Sequence, residues 1–184
     1  MSRDDKDGDV LDLIGRRDYR QAVDLLVRRH GDVVYAFCLR LLHDRARAED
    51  VCQQAFLQAY KGLPGFGGGS SLRTWLLGIA KNRAIDALRA GRREAGRVAP
   101  DDELLDDAVE SAPGPDERAD ESRASDALGA CLERCVSPAE KLLILLHYRD
   151  GLSYEEMGAL LGKKADTLRA RVARALPKLR RGLE

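Results

Sequence analysis

The chain has 184 residues, of which 44% are hydrophobic, 34% charged and 5% aromatic, enough for one ordinary domain or two small ones. No run reaches the roughly 18 apolar residues of a membrane span, and the acidic N-terminus lacks the apolar core of a secretory signal. We therefore expect a cytoplasmic protein with no membrane partner. The net charge of +0 hides an asymmetry, because acids concentrate between Asp101 and Asp126 and bases after Lys163.

Helical periodicity, without strand-like alternation of useful length, predicts an all-α fold. We interpret residues 1–17 as an acidic tail and residues 18–93 as a first helical domain. Its four predicted helices are Tyr19–Arg29, Asp32–Leu42, Ala46–Lys61 and Ser71–Arg92, and a glycine-rich loop, GLPGFGGGSS, precedes the last.

Residues 94–122 are acidic, contain three prolines and show no periodicity, which predicts a flexible linker. Residues 123–184 form the second predicted domain, in which the capping boxes SPAE and SYEE open two helices. The second of these helices stops at Gly162, and Asp166 is predicted to cap a third, basic helix. A short helix, a tight turn and a basic helix indicate a helix-turn-helix.

The helix Ala46–Lys61 has two distinct faces. Its predicted core stripe comprises Val51, Cys52, Ala55, Phe56 and Ala59. The opposite face comprises Glu49, Asp50, Gln53, Gln54 and, among these polar groups, Leu57. An isolated apolar residue in a polar surround suits a protein-docking patch, but spacing alone favours an ordinary solvated face.

A second candidate surface combines the glycine-rich loop with the helix after it. Trp75, Gly78, Asn82, Asp86 and Arg89 share one side of that helix, as expected of a track for unpaired bases and their phosphates. The loop glycines permit close backbone approach, and Lys61, Phe66, Ser70 and Ser71 supply side chains for a flipped base. The alternative, that Trp75 is a core residue beside a plain connector, has equal support.

The last helix carries a third candidate surface. Leu168, Val172, Ala175, Leu176 and Leu179 form its predicted apolar face. Thr167, Arg171, Arg174, Lys178 and Arg181 form the opposite, basic face. On the second helix of a helix-turn-helix, such a stripe favours binding in the major groove over a merely solvated face.

Neither metal binding nor catalysis is predicted. The four cysteines are expected to be reduced and packed; Cys131 and Cys135 share a helix face, but no further ligand has suitable spacing. The three histidines show no triad or metal-ligand spacing, and there is no P-loop or dinucleotide fingerprint. We expect a non-enzymatic protein without a cofactor.

Three segments, RAEDVCQQAFLQAYKGL, SSLRTWLLGIAKNRAIDALR and GLSYEEMGALLGKKADTLRARVARAL, resemble in this order the signatures of extracytoplasmic-function (ECF) sigma factors of the sigma-70 family. The first two resemble region 2 and the third resembles region 4. The resemblance implies that the chain binds core RNA polymerase, directs it to promoters and assists promoter melting. Its partners would be the clamp helices of the largest subunit, the β flap and promoter DNA; an anti-sigma factor remains an open possibility.

The resemblance also implies roles for individual residues. Those expected to bind core polymerase are Glu49, Asp50, Gln53, Gln54 and Leu57. Those expected at the −10 element are Lys61, Phe66, Ser70, Ser71, Arg73, Trp75, Lys81, Asn82, Asp86 and Arg89. Those expected at the −35 element are Lys163, Lys164, Thr167, Arg169, Arg171, Arg174 and Lys178. The acidic linker would thread the basic RNA path of the polymerase.

The chain departs from the family pattern at a few positions. Gln54 replaces a usual acid and Cys52 a usual bulky aliphatic residue, which predicts weaker binding to the clamp. Pro177 is expected to kink the last helix and divert Lys178. Two alternatives are retained: a stand-alone helix-turn-helix regulator, which leaves the first domain unexplained, and a sigma-like protein that no longer initiates transcription.

Overall fold

The protein divides into two compact units, residues 1–101 and 102–184. A computed structural model describes residues 7–94, 129–132 and 134–183 of the chain. Every regular element in these ranges is helical, which confirms the predicted all-α fold with two helical units. Each unit is described separately below.

The first unit consists of four helices: α1 (Gly8–Gly15), α2 (Tyr19–Leu42), α3 (Arg45–Gly62) and α4 (Leu72–Glu94). Helices α2, α3 and α4 pack against one another, and α1 packs on α2. The core they enclose includes Leu26, Val34, Phe37 and Leu41 of α2, Val51, Ala55 and Ala59 of α3, and Leu76, Leu77 and Ala80 of α4.

Helix α2 is one continuous helix, although two were predicted across the same residues. Its carboxylate cap, Asp18, accepts a hydrogen bond from the Gln21 N–H, and the helix runs through Gly31 and Asp32 to Leu42. A break was predicted at His30 and Gly31, between the two expected helices, but burial of His30 and Val34 outweighs the weak helix propensity of glycine. At its end His43 adopts a left-handed conformation (φ 54°), and Asp44 caps α3.

Helix α1 lies within residues interpreted from the sequence as an acidic tail. Val10 is fully buried, and the carboxylate of Asp9 forms an ion pair with Arg29 of α2. Asp7 contacts the buried His30, with 3.0 Å between Asp7 Oδ2 and His30 Nε2. Burial lowers the pKa of His30, and the opposing attraction of Asp7 does not fully offset it. One buried valine, the Asp9–Arg29 ion pair and the contact between Asp7 and His30 therefore attach this acidic segment to the helical core.

The second unit contains α5 (Pro138–Ile144), α6 (Tyr154–Leu161) and α7 (Ala165–Leu183). Residues 129–132, 134 and 135 are helical, and α5 continues as a π-helical turn, Leu145–Arg149. Both predicted capping boxes are confirmed: Ser137 with Glu140 opens α5, and Ser153 with Glu156 opens α6. The core includes Leu146, Leu152, Met157, Leu160, Leu168, Val172, Ala175 and Leu179.

The turn between α6 and α7 depends on two glycines. Gly162 ends α6 in the left-handed conformation (φ 67°), as its predicted role as a stop signal requires. Gly158 lies one turn earlier, where an added Cβ would be only 2.8 Å from the Lys163 carbonyl oxygen and 3.5 Å from the Ala165 nitrogen. A side chain is excluded at this position because the backbone that leads into α7 passes directly over it.

One sequence expectation for α7 was wrong, and the kink expected at Pro177 stays a prediction. Asp166 does not cap the helix: α7 begins at Ala165, so Asp166 lies in its first turn, where the carboxylate still interacts favourably with the helix dipole. Pro177 does not end α7, which continues to Leu183. Packing of Ala175 and Leu179 on either side of the proline holds the helix together despite the missing backbone donor.

Several sequence expectations fall outside the described residues. Of the predicted linker, residues 94–122, only Glu94 is among the described residues. Residues 1–6 of the predicted tail also lie outside them. In the part of the chain that is described, no helix is long and apolar enough to cross a membrane. The same residues contain no cluster of three or more potential metal ligands.

We predict that Gly158→Ala destabilises the second unit. An alanine normally stabilises a helix interior by about 0.5–1 kcal/mol relative to glycine, but overpacking against the backbone costs about 1–3 kcal/mol. The matched control is Gly31→Ala in α2, where an added Cβ meets nothing within 4 Å. Differential scanning calorimetry should show a lower unfolding temperature for Gly158→Ala and a higher one for Gly31→Ala; stabilisation by both would contradict the close approach.

Candidate polymerase and nucleic-acid interfaces

The predicted docking face of α3 is exposed, and its core face is buried. Glu49, Asp50, Gln53 and Gln54 all point to solvent, and Leu57 has 64% of its surface exposed. The Gln54 amide donates a hydrogen bond of 2.7 Å to Asp50, so these two side chains form one polar unit. Most of the predicted core stripe is buried as expected, whereas Cys52 is only half-buried.

An apolar groove of about 660 Å³ adjoins this face, between α2 and α3. Its walls include Val27, Phe56, Leu57 and Tyr60. Val27 and Tyr60 have 44% and 48% of their surfaces exposed, so Leu57 is not the isolated apolar residue that the sequence suggested. The exposed apolar area therefore extends across two helices, which a single-helix periodicity could not reveal.

Trp75 lies at the base of the glycine-rich loop and is half-buried. Its ring is 5.1 Å from that of Phe66, centroid to centroid, with an angle of 55° between the planes. An added Cβ at Gly62 would be only 3.1 Å from Trp75 Cζ2, so the indole fits closely against the end of α3. The loop begins with a 3₁₀ turn, Leu63–Gly65, which places Phe66 beside the indole. Trp75 thus supports the loop and keeps part of its surface accessible.

The polar residues around Trp75 differ in how they are engaged. The Ser71 hydroxyl accepts a 3.1 Å hydrogen bond from the Thr74 N–H and thereby caps α4. Asp86 forms ion pairs with Arg89 at 3.2 Å and with Arg83 at 3.6 Å. Lys61, Ser70 and Asn82 are exposed, and Arg73 and Lys81 are half-buried. The predicted −10 residues therefore extend from the loop along α4 as far as Arg89, and Ser71 and Asp86 among them already have structural partners.

Helix α7 presents the basic stripe that its periodicity predicted. Leu168, Val172, Ala175 and Leu179 are buried, whereas Leu176, predicted to share their face, has 38% of its surface exposed. Thr167 and Arg174 are exposed and Arg171 is half-buried. Within the described part of the chain, no ion pair engages Arg171 or Arg174. Their guanidinium groups are therefore available for an external polyanion, and Lys163 and Lys164 at the turn are exposed.

Two other predicted −35 residues are engaged within the unit. Arg169 bonds Asp166 at 2.6 Å and Glu155 at 3.2 Å, and its guanidinium lies 5.2 Å from the Tyr154 ring centroid. Lys178 Nζ lies 2.7 Å from Glu140 Oε1. The Arg169–Glu155 pair connects α7 to α6, and the Lys178–Glu140 pair connects α7 to α5.

The carboxylate of Glu140 contacts both its capping-box partner Ser137 and Lys178 of α7. Burial by itself would raise the pKa of Glu140, but the ammonium of Lys178 and the Ser137 N–H together lower it. Oε2 accepts the Ser137 N–H at 2.9 Å while Oε1 contacts Lys178. The helix face that begins with Thr167 and Arg171 thus ends in an internal ion pair at Lys178.

A stacked aromatic cluster in the second unit was not predicted. The rings of His147 and Tyr154 stack with 4.3 Å between centroids, and His147 Nδ1 is 2.7 Å from the Leu152 carbonyl oxygen. Since Arg169 covers Tyr154, the cluster extends from the π-helical turn to α7. No periodic signal identifies it, because His147 and Tyr154 lie on either side of a turn.

Comparisons with known proteins agree with this geometry. Residues 26–94 match the family model for Sigma-70 region 2, and residues 126–179 match the model for Sigma-70, region 4. The first match contains the α3 face and Trp75, and the second contains α6 and most of α7.

Two similar proteins are both named ECF RNA polymerase sigma factors. The chain is 32% identical to the ECF RNA polymerase sigma-E factor of Haemophilus influenzae, over 85% of this chain and 84% of that protein. It is also 32% identical to the ECF RNA polymerase sigma factor SigE of Mycolicibacterium smegmatis, over 93% of this chain but only 65% of that longer protein.

A solved structure shares the fold. The sigma factor RpoE in complex with the anti-sigma factor NepR, from Bartonella quintana, matches with a TM-score of 0.58 and 25% identity, covering 91% of this chain and 97% of that one. Region 2 precedes region 4 in this chain, and the two matched regions together cover most of it. The chain belongs to the extracytoplasmic-function RNA polymerase sigma factors of the sigma-70 family.

Proposed function

We propose that this chain binds core RNA polymerase through α3, holds the melted −10 element around Trp75 and recognises the −35 element with α7. The observation that carries the proposal is that both family regions present, on their exposed surfaces, the side chains these tasks require. This role is non-catalytic, and its site of action is the cytoplasm, where the polymerase works.

The polymerase-binding role rests on the exposed face of α3 and the groove beside it. Leu57, Val27 and Tyr60 offer apolar area, and Glu49 and Asp50 supply charge at its edge. An apolar centre with a polar rim is the usual composition of a protein interface. We infer that the clamp helices of the largest subunit contact this face, and that the second unit contacts the β flap.

The −10 role rests on the accessible part of Trp75. An indole that is already fixed by Phe66 and Gly62 offers a rigid surface on which an unpaired base can stack at low entropic cost. Arg73 lies beside Trp75 in the first turns of α4, Lys81 and Arg89 follow further along the same helix, and Lys61 lies at the end of α3; we assign these cations to successive phosphates of the bound strand. Ser71 and Asp86 serve mainly to cap α4 and to order Arg83 and Arg89.

The −35 role is assigned to the first half of α7 and the preceding turn. Thr167, Arg171 and Arg174 supply base or phosphate contacts, and Lys163 and Lys164 add phosphate contacts. Because Arg169 and Lys178 hold α7 to its neighbours, we assign these two residues to positioning the helix.

In vitro transcription with purified core polymerase over a random promoter library tests the function as a whole. Specific start sites should appear only when this chain is added. A footprint by the chain alone, without polymerase-dependent initiation, would instead identify a stand-alone helix-turn-helix regulator.

We predict that Leu57→Glu weakens association with core polymerase by about tenfold or more, because central apolar interface residues carry much of the binding energy. The matched control is Leu11→Glu, which introduces the same charge at an exposed leucine of α1. Affinity can be measured by fluorescence anisotropy with labelled core. Equal losses in the two variants would place the interface elsewhere.

We predict that Trp75→Ala reduces promoter opening by about tenfold, since a base–aromatic stack contributes about 1–3 kcal/mol. Closed-complex affinity at low temperature should change much less. Permanganate reactivity of unpaired thymines reports opening, and a gel-shift assay reports binding. Trp75→Phe keeps an aromatic surface and should recover part of the opening; a loss of binding as large as the loss of opening would contradict the assignment.

We predict that Arg171→Ala weakens holoenzyme binding to a −35 site by about 1–3 kcal/mol if the guanidinium makes a bidentate base contact. It should also reduce discrimination at one base pair. Arg134→Ala removes the same charge from an exposed position outside α7 and serves as the control. A uniform loss over all −35 sequences would indicate a phosphate contact and exclude base recognition by Arg171.

A further inference from the structure

Two cysteines of the second unit lie in contact with each other. Cys131 and Cys135 belong to the helical residues that precede α5, and their Sγ atoms are 3.4 Å apart. Both are free thiols, and Cys131 Sγ also donates a 3.5 Å hydrogen bond to the Leu179 carbonyl oxygen of α7. Cys131 is buried, whereas Cys135 is half-buried and hence accessible to a small molecule.

The end of α7 packs directly on this pair. An added Cβ at Gly182 would lie 2.8 Å from Cys131 Sγ, and it would clash with Cys135 Sγ. The last turn of α7 can pack this closely on the two cysteines only because Gly182 has no side chain and the two sulfur atoms lie where they do. Any reaction that moves the sulfur atoms changes the surface against which the last turn of α7 packs.

We propose that Cys131 and Cys135 are a peroxide-sensitive dithiol, whose oxidation to a disulfide releases the last turn of α7. Residues four apart on a helix have Cβ atoms about 5–6 Å apart, but a disulfide requires about 3.5–4.5 Å. The helical turn must tighten, and the sulfur atoms must approach from 3.4 Å to about 2.05 Å. The bond also removes the S–H that donates to Leu179.

The chemistry needs only hydrogen peroxide as the oxidant. The Cys135 sulfur attacks the peroxide, the O–O bond breaks, and a sulfenic acid and one water form. The Cys131 sulfur then attacks the sulfenic sulfur; the S–S bond forms, and the departing hydroxide takes the thiol proton as a second water. We assign the first step to Cys135 because its side chain is accessible to peroxide, whereas Cys131 is buried. Burial is the larger cause, and the hydrogen bond with Cys135 the smaller, of a raised pKa of the Cys131 thiol, which further disfavours direct attack of Cys131 on peroxide.

The other two cysteines provide an internal comparison. Cys38 is fully buried in α2, and burial raises the pKa of its thiol to about 12. Burial also raises the pKa of Cys52, which is half-buried in α3. Since the thiolate is the reactive form, we expect these raised pKa values to slow the reaction of both thiols of the first unit with peroxide.

The experiment treats the full chain with hydrogen peroxide, without polymerase or DNA, in a Cys38→Ala/Cys52→Ala background. Peptide mass spectrometry without reductant should show a Cys131–Cys135 cross-link, with the loss of two hydrogen atoms, that dithiothreitol reverses. Hydrogen exchange in residues 179–183 should accelerate by about fivefold, the effect of losing one hydrogen bond. Cys135→Ser should give no cross-link and no acceleration.

Three outcomes would overturn the proposal: separate sulfinic or sulfonic acids at the two cysteines, a cross-link that leaves exchange in residues 179–183 unchanged, or acceleration that persists in Cys135→Ser. A parallel sample of the unmodified chain shows whether Cys38 and Cys52 pair instead, which would also count against it. Because polymerase and promoter are absent, these results do not depend on the proposed sigma function.

Discussion

The orientation of the DNA-facing helix depends on one close backbone approach. The Lys163 carbonyl passes over Gly158 of α6 at a distance that leaves no room for a Cβ. This contact fixes where α6 ends and in which direction α7 leaves the turn, so the position of Arg171 and Arg174 relative to the core follows from it. The left-handed Gly162 belongs to the same turn, and the lack of a side chain at Gly158 allows the two helices to approach this closely.

The cations of α7 divide into those with internal partners and those that we propose contact the −35 element. Arg169 and Lys178 neutralise acids of the same unit and hold the helix at two points, on α6 and on α5. Arg171 and Arg174 lie between these points on the exposed surface. A similar division occurs on α4, where Ser71 and Asp86 organise the helix and the exposed part of Trp75 remains available. Side chains of one chemical type therefore have different roles, according to whether an internal partner lies within reach.

Much of this architecture could be predicted from the sequence because helix caps and periodicity are local. Ser137, Ser153 and Gly162 each act on residues within a few positions, and all three behave as predicted. Asp166 and the assumed break at Gly31 were misjudged, because tertiary packing decided the helix boundaries there. Helix α1 could not be predicted, since its attachment depends on one buried valine and on partners in α2 more than 19 residues away.

In the candidate sites, too, local patterns predicted which side chains are exposed but not their contacts with distant parts of the sequence. Periodicity correctly placed the exposed face of α3 and the basic stripe of α7. It could not show that Lys178 meets Glu140, which is 38 residues away in the sequence, or that the groove beside Leu57 is shared with α2. Contacts of this kind depend on how helices cross, and spacing within one helix carries no information about that.

Trp75 is the only tryptophan in the chain, and it lies half-buried against a ring at the base of the glycine-rich loop. The tryptophan fluorescence of the protein therefore reports on the environment of this one site. When a nucleobase stacks on the exposed side of the indole, or when Phe66 moves away, the local polarity and quenching change together. The native protein therefore carries its own fluorophore at the proposed melting site, and stopped-flow fluorimetry can follow strand capture without any label.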